Sequence, residues 1–423
     1  MAISFFSITL ILAAVVGPRA YNAIHHQLTV LGIYRSSVFE SSNQGVHIIA
    51  DTQQCEDIHY YAPGNVIFAA CEDSILPRFD WFPPLEHLDK SPESTGSKGS
   101  IHIIDPRTLK SSRLTFENFK GPFVTHGIDV IPDPERADAV YIFAVNHLGN
   151  PGYVPGKDTD PNDPATHPAR SQVEIFHHTL KSSTVRHVRS VRHPLVKTPN
   201  DLYATSPYSF YATNDHYYRG GLLRHVEGTV PWLKWTNVVH VQLDRLTTGE
   251  ETAGVNASVA LPKLWAANGM GHGRDEEVLV TGVLGGLLWR ASMDEAGNTL
   301  TVKDEIAVDS IIDNPSYYDD IYKTDEDDAS GYVLAGLRRA IDLTKTHADP
   351  QGTDGVIVWY VRRSKDGNGW EKRVIYEDDG STIRTASAAV LVPEPVKEGG
   401  VKEATLFVTG FISSSAVALR VTL

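Results

Sequence analysis

Short apolar runs recur along the chain, rich in β-branched and aromatic residues and bounded by Gly, Pro, Asp or Asn. They are His102–Ile104, Ala139–Val145, Gln172–Phe176, Asn237–Leu243, Glu277–Val283, Gly355–Val361, Ala404–Phe411 and Ala416–Val421. Such residues pack well on a pleated, half-buried surface, so each run predicts a strand. Long stretches with the 3.6-residue period of an amphipathic helix are almost absent. The pattern predicts an all-β protein, and this many strands require a propeller or a stack of sandwiches.

A weak internal repeat decides for the propeller. A small polar pair precedes an apolar residue at Glu56-Asp57-Ile58, His126-Gly127-Ile128, Asn200-Asp201-Leu202, Asn268-Gly269-Met270 and Asp313-Asn314-Pro315, each time ahead of a strand pair. The spacings of about 70, 74, 68 and 45 residues hold a four-stranded blade with an elaborated loop. A sixth position near Ala386-Ser387-Ala388 completes a six-bladed ring. The innermost strand of every blade lines the central channel, so these scattered pairs are expected to converge on one site. Nothing marks a domain boundary, and residues 21–423 read as a single propeller domain.

The 423 residues are 41% apolar and 21% charged, with a net charge of −14 and no clustered basic surface. That balance excludes a nucleic-acid partner, which needs concentrated Lys and Arg. Met1–Ala20 carries an apolar stretch from Ile3 to Val16 followed by Gly17, Pro18 and Ala20. Its length suits a signal peptide, and the protein is expected to be secreted; because no Lys or Arg precedes the stretch, an uncleaved anchor is the alternative. Asn256-Ala257-Ser258 is a glycosylation sequon consistent with secretion. Cys55 and Cys71 flank a predicted hairpin turning at Pro63-Gly64-Asn65, which would bring the sulfurs together as a disulfide. The alternative is a pair of buried thiols, and two cysteines are too few for a structural zinc site.

No G-x-S-x-G elbow and no H-E-x-x-H helix occurs, which disfavours serine and zinc hydrolases. The Pro- and Asp-rich stretch 149–170 reads as a long loop, and His25-His26 and His177-His178 read as surface.

Six short motifs occur in order: Phe123–Ile128 (FVTHGI), Val145-Asn146-His147, Asn200-Asp201, Tyr211–Tyr217 (YATNDHY), Ala267–Gly269 (ANG) and Ile312–Asn314 (IDN). Together they resemble the paraoxonase/arylesterase family, the calcium-dependent lactonases and esterases built on a six-bladed propeller with two calcium ions in its channel. The resemblance implies a catalytic calcium held by Glu56, Asn200, Asn268, Asp313 and Asn314, a set of carboxylate and amide oxygens suited to a hard cation. It implies a second, structural calcium on Asp57, Asp201 and the backbone carbonyl of Ile128. It also implies that His126, assisted by His147, takes a proton from the attacking water. A calcium-bound water activated by a carboxylate is the rival, Asp313 counts with the catalytic set, and Asp215 with His216 supports it. The substrate implied is a small carboxylic ester or lactone.

Leu222, Leu223, Val226 and Val230 fit one face of a short helix, followed by Trp232, Leu233 and Trp235. By resemblance 219–235 roofs the active site and touches lipid; simple core packing is the alternative. Two departures stand out. No C-terminal cysteine exists to close the ring, so an N-terminal strand must pair with the last blade, and after Gly331-Tyr332-Val333 the chain reads Leu337-Arg338-Arg339-Ala340, where the family's pocket histidine is not evident. A non-catalytic propeller held together by calcium is the competing reading from another class.

Overall fold

The computed structural model describes residues 21–39, 41, 45–154, 160, 162–396 and 400–423. The strands form six sheets, each running from an innermost to an outermost strand; all neighbours are antiparallel except that in one sheet a fifth, outermost strand, Thr115–Glu117, joins parallel to Thr184–Val191. The innermost strands are Asp57–Tyr61, Thr125–Asp133, Pro199–Ser206, Ala267–His272, Pro315–Tyr318 and Ala386–Pro393, which number blades 1 to 6. They touch in that order and the sixth returns to the first, so the ring is closed. All six repeat positions lie at the start of these strands or immediately before them.

The core follows from the geometry. Strand side chains alternate between faces, so each blade presents apolar residues to both neighbours. Six apolar clusters result, one per junction, such as Phe143, Val173 and Ile175 of blade 2 with Leu202, Phe210 and Val239 of blade 3. Ring closure is made as the missing C-terminal cysteine requires: His47–Ile49 pairs antiparallel with Ala416–Ala418 and becomes the fourth strand of blade 6. The expected hairpin in blade 1 is present, with Asn65 in the left-handed conformation at its turn, and Cys55 and Cys71 are disulfide-bonded.

Because strands alternate in direction, the connection between the second and third strands of a blade emerges where its innermost strand begins. Among the described residues three such connections carry a helix or hairpin of their own. In blade 1, residues 73–98 include a short hairpin of Trp81–Phe82 with His87–Leu88; in blade 3, Leu222–Thr229 is a helix; in blade 5, Ala340–Thr346 is a helix. They build a roof over one end of the channel.

The surface reading of two histidines is corrected. His178 is fully buried in blade 2, and His177 is buried and paired with Asp133 at 2.8 Å. Positions 177–178 lie near the end of the third strand of their blade, Ala169–Thr179, where the surrounding structure still covers both side chains. Residues 1–20, including the expected signal peptide or anchor, lie outside the described residues. Among the described residues no helix is long and apolar enough to cross a membrane.

Candidate active site

The starts of four innermost strands, those of blades 1, 3, 4 and 5, bring Glu56, Asn200, Asn268, Asp313 and Asn314 to the roofed end of the channel. Two glycines permit this crowding: a Cβ on Gly269 would stand 2.5 Å from the Asn314 Cα, and one on Gly127 would strike Asp201. Asn314 donates to Glu56 Oε1 at 3.0 Å, and Ser387 Oγ donates to the Glu56 carbonyl, closing the circle through blade 6.

One buried oxygen on each of the five residues has no hydrogen-bond partner: Glu56 Oε2, Asn200 Oδ1, Asn268 Oδ1, Asp313 Oδ1 and Asn314 Oδ1. Leaving a buried acceptor unsatisfied costs about 1–3 kcal/mol, so five in one place call for a common partner. The electrostatics agree. Burial, then the Asp313 and Asp57 charges, push the Glu56 carboxyl well up; burial, then Asp57 and Asp215, do the same to Asp313. The arrangement lacks a positive charge, and a divalent hard cation that takes six to eight oxygens fits it. No cluster of three or more His, Cys, Asp or Glu side chains in a metal-holding arrangement occurs among the described residues, because this set is two carboxylates and three amides.

The set implied for a second ion differs. Asp57 accepts from Ile58 N at 2.8 Å and Ile128 N at 2.9 Å, and Asp201 accepts from Leu202 N at 2.7 Å and Met270 N at 2.6 Å. Each carboxylate thus stitches its blade to the next, as Asp129 does through Ala204 N at 2.6 Å. No orphaned oxygen marks this set, and it carries no step below.

His126 stands beside the five-oxygen cluster. Its Nε2 lies 3.3 Å from Asn200 Nδ2 and 3.8 Å from Glu56 Oε1, and its Nδ1 lies 2.9 Å from His147 Nε2. His147 Nδ1 in turn meets Ser171 Oγ at 2.7 Å. The amide donor of Asn200 assigns His126 a bare Nε2, and hence an Nδ1–H donating to His147. Burial lowers the His126 pKa to about 3, and burial with the neighbouring His126 pushes His147 well below its usual value. Both rings are neutral at physiological pH, with a lone pair aimed at the oxygen cluster.

Asp215 forms the next wall. Burial would raise its pKa, but the His216 ring 3.1 Å away overrides this and holds it well below the carboxylate range. Its ionised carboxylate also favours a proton on His126.

Residues 159–396 match the family model described as arylesterase. The chain belongs to the arylesterase family. It is similar to serum paraoxonase/arylesterase 2 of the dog (28% identical, covering 42% of this chain and 47% of that protein) and to serum paraoxonase/lactonase 3 of the rabbit (24% identical, covering 73% and 76%). The chain spans about half the length of the first curated relatives it matches. Among solved structures it is similar to one described as a gluconolactonase, at 12% identity and a TM-score of 0.45, covering 91% of this chain and 94% of that one.

In this arylesterase-family chain the roof supplies residues that the motifs do not include. Phe82 sits edge-on to both rings of the dyad, 5.3 Å from His126 and 5.9 Å from His147 between centroids, and Trp81 Nε1 donates to the His147 carbonyl at 2.8 Å. Beneath them, fully buried Arg78 donates to Thr125 O at 2.8 Å, Glu72 Oε1 at 3.2 Å and Phe411 O at 2.7 Å, tying blades 1, 2 and 6. The insertion lies outside the repeated pairs, so the repeat gave no signal for it; the adjacent aromatic and proline residues 81–84 were the one local hint.

The helix Leu222–Thr229 is inverted relative to a core-packed one. Arg224 and Glu227 are buried, whereas Leu222 is 77% and Trp232 65% exposed, which contradicts the core-packing alternative. Arg224 Nη2 donates to Pro84 O at 2.9 Å and Glu227 accepts from Tyr217 N at 3.0 Å, so the polar face holds the roof. The N-terminal helix, residues 21–30, reaches the same corner: His26 Nε2 lies 2.9 Å from Gly285 O, beside Leu284, which packs near Gly228.

Proposed function

We propose that the protein is a calcium-dependent hydrolase of carboxylic esters or lactones. The observation that carries this reading is the set of five partnerless oxygens beside a neutral histidine whose lone pair faces them. Glu56, Asn200, Asn268, Asp313 and Asn314 would hold the ion, which supplies Lewis-acid polarisation of a carbonyl and compensates an oxyanion. His126 Nε2 takes the proton of the attacking water, while its Nδ1–H, donated to His147, fixes the ring and spreads the charge that arrives. Ser171 orients His147, and Asp215 balances the proton held on the dyad. Phe82 covers the rings and excludes water from the pair. The disulfide and the exposed sequon support a place in the secretory pathway, and exposed Leu222, Leu223 and Trp232 support a peripheral contact with lipid.

The test is turnover of an aromatic-ester panel and a panel of five- and six-membered lactones by calcium-loaded, chelated and re-supplemented protein, beside calorimetric calcium titration. Turnover that vanishes on chelation and returns with calcium is expected. Calcium binding and thermal stabilisation without turnover on either panel would make the protein a scaffold and end the enzyme reading.

A further inference from the structure

A cleft opens between the roof and blade 3, directly beside the dyad; His147, His167, Asp215, Lys197, Arg219 and Arg224 are among its walls. In a chain of net charge −14, three cations converge there, and among the described residues lining it Asp215 is the one carboxylate. Arg224 is partly compensated by Glu86 at 3.4 Å and by roof carbonyls. Among the described residues Lys197 and Arg219 are not: the Lys197 ammonium rests 3.8 Å above the Tyr217 ring, and the Arg219 guanidinium reaches the Asn162 carbonyl at 3.5 Å. Among the described residues neither has a carboxylate within ion-pair distance. Burial acts against the Arg219 charge, with Asp163 the acid that offsets it from a distance. Half-buried cations without counter-charges cost desolvation energy that a bound anion would return.

We infer that the substrate is an ester or lactone bearing a carboxylate outside the reacting carbonyl, received by Lys197 and Arg219 with Arg224 beside them. The inference rests on the hydrolase reading above. Pro199 lines the cleft and Asn200 follows it, so an anionic group held here places the rest of a small substrate toward the oxygen cluster and His126 Nε2. The cleft is narrow, about 20 Å³ of water-accessible room, enough for about one water. The anion therefore enters by shifting the two long, partly exposed side chains, which sit on loops between strands.

The experiment compares kcat/KM of the calcium-loaded full chain on a neutral six-membered lactone and on the same ring carrying a carboxylate, at low and high ionic strength. The expected ratio favours the carboxylated ring by roughly tenfold or more at low salt and shrinks as salt screens the cations. In Lys197→Gln/Arg219→Gln the ratio falls to about one, and in Lys197→Glu/Arg219→Glu it inverts. Calorimetric binding of the carboxylated ring-opened product, tighter to the wild type than to the double Gln variant, gives a readout independent of turnover. Hydrolysis of the neutral ring with a wild-type ratio near one, or a preference that survives both double variants, overturns the inference and leaves the hydrolase standing. Absence of turnover on both rings, with calcium bound, overturns both.

Discussion

His147 Nε2 lies 2.9 Å from His126 Nδ1, although the two residues reach each other from adjacent strands of blade 2, 21 positions apart. That contact leaves His126 Nε2 as the nitrogen facing the oxygen cluster. It divides the pair into a ring that takes the proton and a ring that orients it.

His126→Gln is expected to lower lactone turnover by roughly 10²–10⁴-fold, the span of a lost general base. Calcium affinity stays within a few-fold, because no ligand oxygen is removed. His147→Gln and Ser171→Ala should cost less, in that order. Steady-state kinetics with calcium titration on each variant checks the series; unchanged turnover in His126→Gln would hand the base role to a carboxylate.

Calcium should stabilise the fold through the five orphaned oxygens, by about 2.7 kcal/mol at a concentration 100 times Kd. Asn268→Ala and Glu56→Gln are each expected to weaken binding and to shrink the calcium-dependent rise in Tm. Gly269→Ala removes no oxygen, yet its Cβ would collide with Asn314 and should impair binding comparably. Differential scanning calorimetry with and without calcium distinguishes these outcomes; a full calcium response in Gly269→Ala would refute the close-approach argument.

Acid should destabilise the propeller in part through His102, buried in blade 1 between Ser100 Oγ at 2.9 Å and Ser111 Oγ at 2.8 Å. Burial lowers its pKa from 6.5 to about 4. The unfolded chain therefore takes up the proton first. The neutral ring contributes fully above pH ~6.5, and the contribution declines to its loss near pH 4, at most about 3 kcal/mol. His102→Gln should flatten the dependence of Tm on pH across that window, whereas an unchanged slope would remove His102 from the account.

Leu222, Leu223 and Trp232 are exposed and contribute no buried core, so replacing all three with Ser should leave Tm within a few degrees. The same replacement should abolish co-sedimentation of the protein with phosphatidylcholine vesicles. Vesicle binding equal to wild type would assign the exposed face another partner.

The strand periodicity, the six repeat positions, the blade 1 hairpin with its disulfide, and the pairing of an N-terminal strand with the last blade were all legible in the sequence. So was the convergence of the small polar pairs on one end of the channel, because they recur at one structural position per blade; the ligand set among them was implied by the family resemblance. The roof was not legible. Arg78 reaches Phe411 across 333 positions and Trp81 reaches His147 across 66, from an insertion that lies outside the repeated pairs.

Alternation of side chains and the spacing of small polar pairs are local properties, so the sequence by itself determined an all-β ring and which residues line its channel. The tertiary structure alone decided which oxygens remain without partners, which nitrogen of His126 faces them, that His178 is buried, and that the helix of blade 3 turns Arg224 inward and Leu222 outward. Each of these depends on what the rest of the chain places opposite a side chain: hydrogen-bond satisfaction and burial are properties of a neighbourhood, and distant segments supply it.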